Sequence, residues 1–116
     1  MRVKTLPLAS LTTGILLVSS MGALYDVAEQ LNGWRPFTHQ LGEVIEHVRR
    51  EVLKQHPTFP TYETHARYFR EDPGVTYGVY TSGLLREWGD EVELDPIAQM
   101  AQPDIFLEER LVVVRR

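Results

Sequence analysis

Between Lys4 and Asp26 the chain carries no charged residue. An uncharged run of that length can cross a bilayer, serve as a secretory leader or be buried in a core. Arg2 and Lys4 ahead of it, and Ser19, Ser20 and Ala23 near its end, give the outline of a leader. Its composition argues otherwise. Thr5, Ser10, Thr12, Thr13, Ser19 and Ser20 interrupt it, as do Pro7, Gly14 and Gly22, and its continuous apolar part is only residues 15–18. That is too short for a span and weak for a leader, so the run is expected to be buried protein core.

With 116 residues, one domain over 1–116 is expected. A chain of this size buries about two-thirds of its unfolded surface, enough for one core. There is no cysteine, which excludes disulfides and thiolate metal sites. Sixteen acidic against twelve basic residues give a net charge of −4. Phosphate contact needs clustered Lys and Arg, so general nucleic-acid binding is not expected.

Hydrophobic spacing divides the chain. Residues 6–13 read as a short helix stopped by Gly14, and 15–18 as a buried connection or strand. Ser20 is placed to cap a helix over 21–31, with Met21, Leu24, Tyr25, Ala28 and Leu31 on its apolar stripe and Val27 widening it. Asn32-Gly33 ends it, and 34–37 form a loop. Thr38 is expected to cap a helix over 39–55, which buries Leu41, Val44, Ile45, Val48 and Val52. The opposite face would carry His39, Glu43, Glu46, His47, Arg50 and Lys54, with Glu46 and Arg50 paired at i, i+4. A short helix follows over 61–70, with Tyr62, Ala66 and Phe69 on one side.

Asp72-Pro73 reads as the start of another helix. Residues up to Trp88 fit either an alternating strand or a helix with Tyr77, Tyr80, Leu84 and Trp88 in phase. Helix is preferred, with Gly89 closing it, although Gly78 and Gly83 each cost ~1 kcal/mol there. Residues 91–94 read as a strand, 96–100 as a short helix, and 110–116, with Leu111, Val112, Val113 and Val114, as a buried strand. The fold class is therefore α+β: a mainly helical single domain with a small antiparallel β element near the C-terminus, formed by pairing 91–94 with 110–116.

Little in the chain carries chemistry. His39, Glu43 and His47 fall at i, i+4, i+8, a spacing that can ligate zinc. It is not the HExxH arrangement, and Arg50 and Lys54 would repel a cation, so a solvated face is expected and no metal is assigned. No GxSxG elbow or GxGxxG loop occurs. No catalytic residue and no cofactor are assigned, and an enzyme is not expected. Tyr62, Tyr68, Tyr77 and Tyr80 cluster with Arg67, Arg70 and Arg86. Tyr and Arg are the residues of binding hot spots, and they also stack on nucleotides and fork onto phosphates. Most such rings serve as core. Trp34, on a loop beside Arg35, is expected to be the exposed one.

The order Leu11-Thr12-Thr13-Gly14, Leu16-Leu17, a helix with Tyr25, Gly33, Phe37-Thr38-His39-Gln40-Leu41 and Gln55-His56-Pro57 resembles a family of small uncharacterised tailed-phage proteins, a domain of unknown function. The resemblance covers about residues 6–57, and Trp88-Gly89 with Val92, Leu94 and Pro96 is similar to the family's C-terminal pattern. The Tyr-rich stretch 62–80 departs from it. The resemblance implies a virus-borne accessory protein in the host cytoplasm and carries no activity with it. Within its motifs, His39 is placed to bond back to the Thr12–Thr13 backbone and pin two helices; the alternative is an anion site at a helix N-terminus.

Together these readings predict a non-catalytic phage counter-defence protein. It would bind a host defence protein or sequester a small signalling nucleotide, and could form a homo-oligomer. No general nucleic-acid or membrane partner is expected. The candidate binding residues are Thr12, Thr13, Trp34, Arg35, His39, Arg67, Tyr68, Arg70, Tyr77 and Tyr80. A structural or assembly protein of the phage is the alternative, and a small metal-dependent hydrolase comes third.

Overall fold

The computed structural model describes residues 1–100. Five helices pack with one two-stranded antiparallel sheet, as the α+β reading requires. The helices are α1 (Thr5–Thr13), α2 (Met21–Asn32), α3 (Leu41–Gln55), α4 (Tyr62–Glu71) and α5 (Tyr77–Trp88). The strands are β1 (Arg2–Lys4) and β2 (Glu91–Glu93).

The uncharged run is the centre of the molecule. Helix α1 touches α2, α3, α4, α5 and β1, and every residue in it but Leu6 is buried. A helix apolar all round is stable only when surrounded. Its hydroxyls bond locally. Thr12 and Thr13 Oγ1 donate to the Ala9 carbonyl at 3.3 and 2.7 Å. Ser10 Oγ donates to the Leu6 carbonyl and accepts from Leu17 N–H. These bonds let polar side chains sit in a core without orphaned groups. Gly14 closes α1 in the left-handed region at φ 74°. Residues 15–18 continue as a loop in which Leu17 is buried and Leu16 exposed.

Ser20 caps α2 by accepting from Gly22 N–H. The buried stripe of α2 is Leu24, Val27, Ala28 and Leu31; Met21 is exposed and Tyr25 half-buried. Helix α3 buries Leu41, Val44, Val48 and Val52 as its spacing predicts. It begins two residues later than expected. Thr38–Gln40 form a 3-10 turn, in which Gln40 Oε1 accepts from Phe37 N–H at 2.9 Å. Thr38 therefore does not cap α3, and its Oγ1 accepts from the Tyr25 hydroxyl. Glu46 pairs with Arg49 and not Arg50.

Thr61 and Thr76 cap α4 and α5 through their hydroxyls. Asp72 ends α4 and does not start α5, because Pro73 and Gly74 follow it and Thr76 offers the next helix its cap. The segment through Trp88 is helical, since i, i+4 spacing buries Tyr80 and Leu84 together.

Strand β2 pairs with the start of the chain: Arg2 faces Glu93, Val3 faces Val92 and Lys4 faces Glu91. Two short charged–apolar–charged triplets of opposite sign thus zip around one buried valine pair. The partner expected for β2, residues 110–116, lies outside the described residues. Residues 96–100 are not helical; they run without regular structure along α3.

Candidate functional site

Helices α4 and α5 form a hairpin glued by rings. His65 meets Tyr80 at 5.0 Å between centroids and Phe69 meets Tyr77 at 5.0 Å, so the helices run antiparallel. Phe69 also lies 4.8 Å from His65 and 5.4 Å from Tyr80. Tyr68 packs at 5.3 Å from Tyr80 and 6.0 Å from Phe69. Tyr62, expected on the inner stripe of α4, is 57% exposed, and His65 takes the buried place.

The cluster is electrically quiet. Burial pushes the His65 imidazole pKa below its ordinary value, and its Nδ1 has no hydrogen-bond partner among the described residues. Burial, with Tyr68 and Tyr77 nearby, pushes the Tyr80 phenol up. Both groups are therefore neutral near pH 7.

On one flank of the hairpin is a cavity of about 230 Å³, lined by Tyr68, Tyr80 and Trp88, by Thr64, Gly83 and Leu84, and by Glu87. Thr58 and Pro60, ahead of α4, complete it. Phe59, fully buried, backs the Trp88 indole edge-on at 5.0 Å. Trp88 Nε1 is buried without a hydrogen-bond partner among the described residues. Glu87 is the one charged side chain in the lining among the described residues.

Of the predicted site residues, the structure brings Tyr68, Tyr77 and Tyr80 into one aromatic cluster. Arg67 and Arg70 stand apart from it. At roughly 100° per residue they fall on the side of α4 opposite His65 and Phe69, and both are exposed. The Tyr–Arg association legible in the sequence is thus not a shared pocket.

The remaining candidates are separate. Thr12 and Thr13 are buried, with their hydroxyls committed to the Ala9 carbonyl. His39 is exposed and stacks on Phe37 at 5.9 Å, so it does not pin α1 to α3. Trp34 is half-buried against the core, and its indole Nε1 donates to the Met100 carbonyl at 2.9 Å. It is not the exposed ring of the expectation. Arg35 bonds Asp26 at 2.8 Å and Glu29 at 3.2 Å and lies 5.5 Å above the Tyr25 ring. These partners raise its pKa, the Asp26 hydrogen bond most.

Sequence reasoning missed Thr64, Glu87 and Trp88 as pocket residues. The one signal available was the spacing of Tyr80, Leu84 and Trp88. His47 was placed on a solvated face, but its Nε2 contacts the Ala98 carbonyl, and no group of three His, Asp or Glu able to hold a metal occurs among the described residues. No described helix is long and apolar enough to cross a membrane.

No curated protein and no solved structure is significantly similar to the chain. Residues 5–61, from α1 to the threonine that caps α4, match the family model of a domain of unknown function, DUF7736, which ties this part of the chain to an uncharacterised domain family.

Proposed function

We propose that this chain is a non-catalytic recognition protein that presents the α4–α5 hairpin to another protein, in the setting of phage counter-defence inside the host cell. The observation that carries the reading is the exposure of large side chains on that hairpin. Tyr62, Tyr68, Tyr77 and Val79 are 57%, 41%, 54% and 56% exposed. Exposed tyrosines braced by a buried aromatic layer are rigid, amphipathic anchors that lose little entropy on binding. The phage setting rests on the resemblance of the N-terminal half.

A protein partner is favoured over a signalling nucleotide. The cavity is smaller than the ~300–1,000 Å³ usual for small-molecule sites. Among the described residues its only charge is Glu87, which repels phosphate, and no arginine lines it.

The test is phage growth on a panel of bacteria that carry different defence systems, with and without this protein. The wild type is expected to restore growth on one of those hosts. Tyr62→Asp, 57% exposed and outside the ring cluster, should lose that effect and keep its melting temperature. No effect on any host, or full effect from Tyr62→Asp, would overturn the proposal.

A further inference from the structure

The geometry points to the cavity between α4 and α5 as a binding site for an ammonium cation, held among Tyr68, Tyr80 and Trp88 with Glu87 beside it. This deepens the recognition reading and rests on it only for where the cation comes from.

Three observations carry the assignment. The first is the ring set. Tyr68, Tyr80 and Trp88 all line one small cavity, and an aromatic face attracts a cation through its quadrupole, tryptophan most strongly. The second is charge. Glu87 is in the lining, and among the described residues it makes no ion pair and no cation lines the cavity. The site is therefore complementary to one positive charge.

The third is Gly83. A glycine inside a helix is costly, and a Cβ built there meets nothing within 4 Å. The space a side chain would take is left open to the cavity. A volume of about 230 Å³ admits an alkylammonium head and not a whole nucleotide. Methylated ammonium groups suit such a box best, because their charge is spread over a surface that rings can cover, whereas a plain ammonium is compact and strongly hydrated.

Two sources supply that chemistry: a lysine side chain of a partner protein, or a free small amine. The chain has two tryptophans, and their indole N–H groups give separate NMR signals. Trp34 is bonded to Met100 and serves as an internal reference, while Trp88 reports the cavity. The experiment titrates the full chain with choline, with its uncharged isostere 3,3-dimethylbutanol, and with Nα-acetyl-lysine methylamide in plain and trimethylated forms.

Choline and the lysine compounds should shift the Trp88 indole saturably and leave Trp34 in place, and dimethylbutanol should not. Tighter binding of the lysine compounds names a protein side chain as the source; tighter binding of choline names a free amine. Glu87→Gln should weaken binding by roughly two- to fivefold. Gly83→Met should abolish it without lowering the melting temperature, since it fills the cavity and improves helix propensity.

Equal binding of dimethylbutanol, no Trp88 shift with any cation, or unchanged affinity in Glu87→Gln would overturn the assignment. The outcomes separate from those of the recognition reading. Loss of phage growth in Tyr62→Asp without any cation binding leaves the recognition face standing and removes the pocket. Cation binding without an effect on any host does the reverse.

Discussion

Gln55 holds the backbone of Asp95 from both sides: its Nε2 donates to the Asp95 carbonyl at 3.0 Å, and its Oε1 accepts from the Asp95 N–H at 2.8 Å. The same device repeats along the chain after β2. Glu51 accepts from Ala98 N–H at 3.2 Å while His47 meets the Ala98 carbonyl. Asn32 accepts from Met100 N–H and Trp34 donates to its carbonyl, both at 2.9 Å. His47, Glu51 and Gln55 are spaced i, i+4, i+8, so one face of α3 serves residues 95–98 in place of a neighbouring strand.

Gln55→Leu removes both bonds to Asp95. At about 0.5–1.5 kcal/mol each, and partly exposed to water, their loss should cost about 1–2 kcal/mol. Hydrogen exchange is the direct reading. The Asp95 and Ala98 amides should lose protection, while those of Val44 and Val48 inside α3 keep theirs. Unchanged exchange at Asp95 would refute the strap.

Gly89 stands at φ 80° and ψ −179°, a combination essentially restricted to glycine. It turns the chain from α5 into β2, so that Thr5 Oγ1 can donate to the Gly89 carbonyl at 2.6 Å. An added Cβ would meet only the Glu91 carbonyl, at an ordinary 3.8 Å. The penalty for Gly89→Ala is therefore backbone strain and not a clash, about 1–3 kcal/mol. Urea denaturation should show it as a lower midpoint with an unchanged slope. A midpoint within error of the wild type would mean that the turn relaxes.

The central helix sets the largest single-site effects. Leu8 and Leu11 are 0% exposed in α1, with every neighbouring element packed around them. Leu11→Ala should cost about 2–5 kcal/mol through lost transfer energy and a cavity. Leu16, three residues past the end of α1 and 49% exposed, is the control. Leu16→Ala should stay within about 0.5 kcal/mol of the wild type. Comparable losses at both positions, measured by thermal melting, would contradict a core centred on α1.

How much of this was legible follows from range. The helices could be read because their stripes and many of their caps are local: Gly14, Ser20, Gly33 and Gly89 act within a few residues. Helix α5 was legible despite two glycines because Tyr80 and Leu84 are in phase. The pairing of β1 with β2 was not, because three-residue strands carry no periodicity and the partners lie some 90 residues apart. The α3 strap was hidden for a related reason. His47, Glu51 and Gln55 look like a solvated stripe until the chain returns to cover them. The site divided similarly. The tyrosine cluster could be seen, but its arginines point away, because a helix of ten residues has two sides and composition does not distinguish them.

His65 gives the last prediction. It is 6% exposed among Phe69, Tyr77 and Tyr80, and its Nδ1 has no partner among the described residues. Burial lowers its pKa from the ordinary 6.5, so the folded state resists protonation that the unfolded chain accepts. As pH falls below about 6.5 the unfolded state binds more protons, and stability is lost until the folded pKa is passed. Above that pH the histidine is neutral in both states and the penalty is absent. Glu51 has the carboxylate form of the same dependence. The Lys54 hydrogen bond, foremost, lowers its pKa from 4.5, so its contribution fades only at more acid pH. Measuring the urea midpoint between pH 7.5 and 5 in the wild type and in His65→Phe therefore isolates the histidine. The phenyl ring keeps the aromatic packing and removes the proton site. The wild type should lose more stability than the variant across that interval, and parallel curves would show that His65 titrates as freely folded as unfolded.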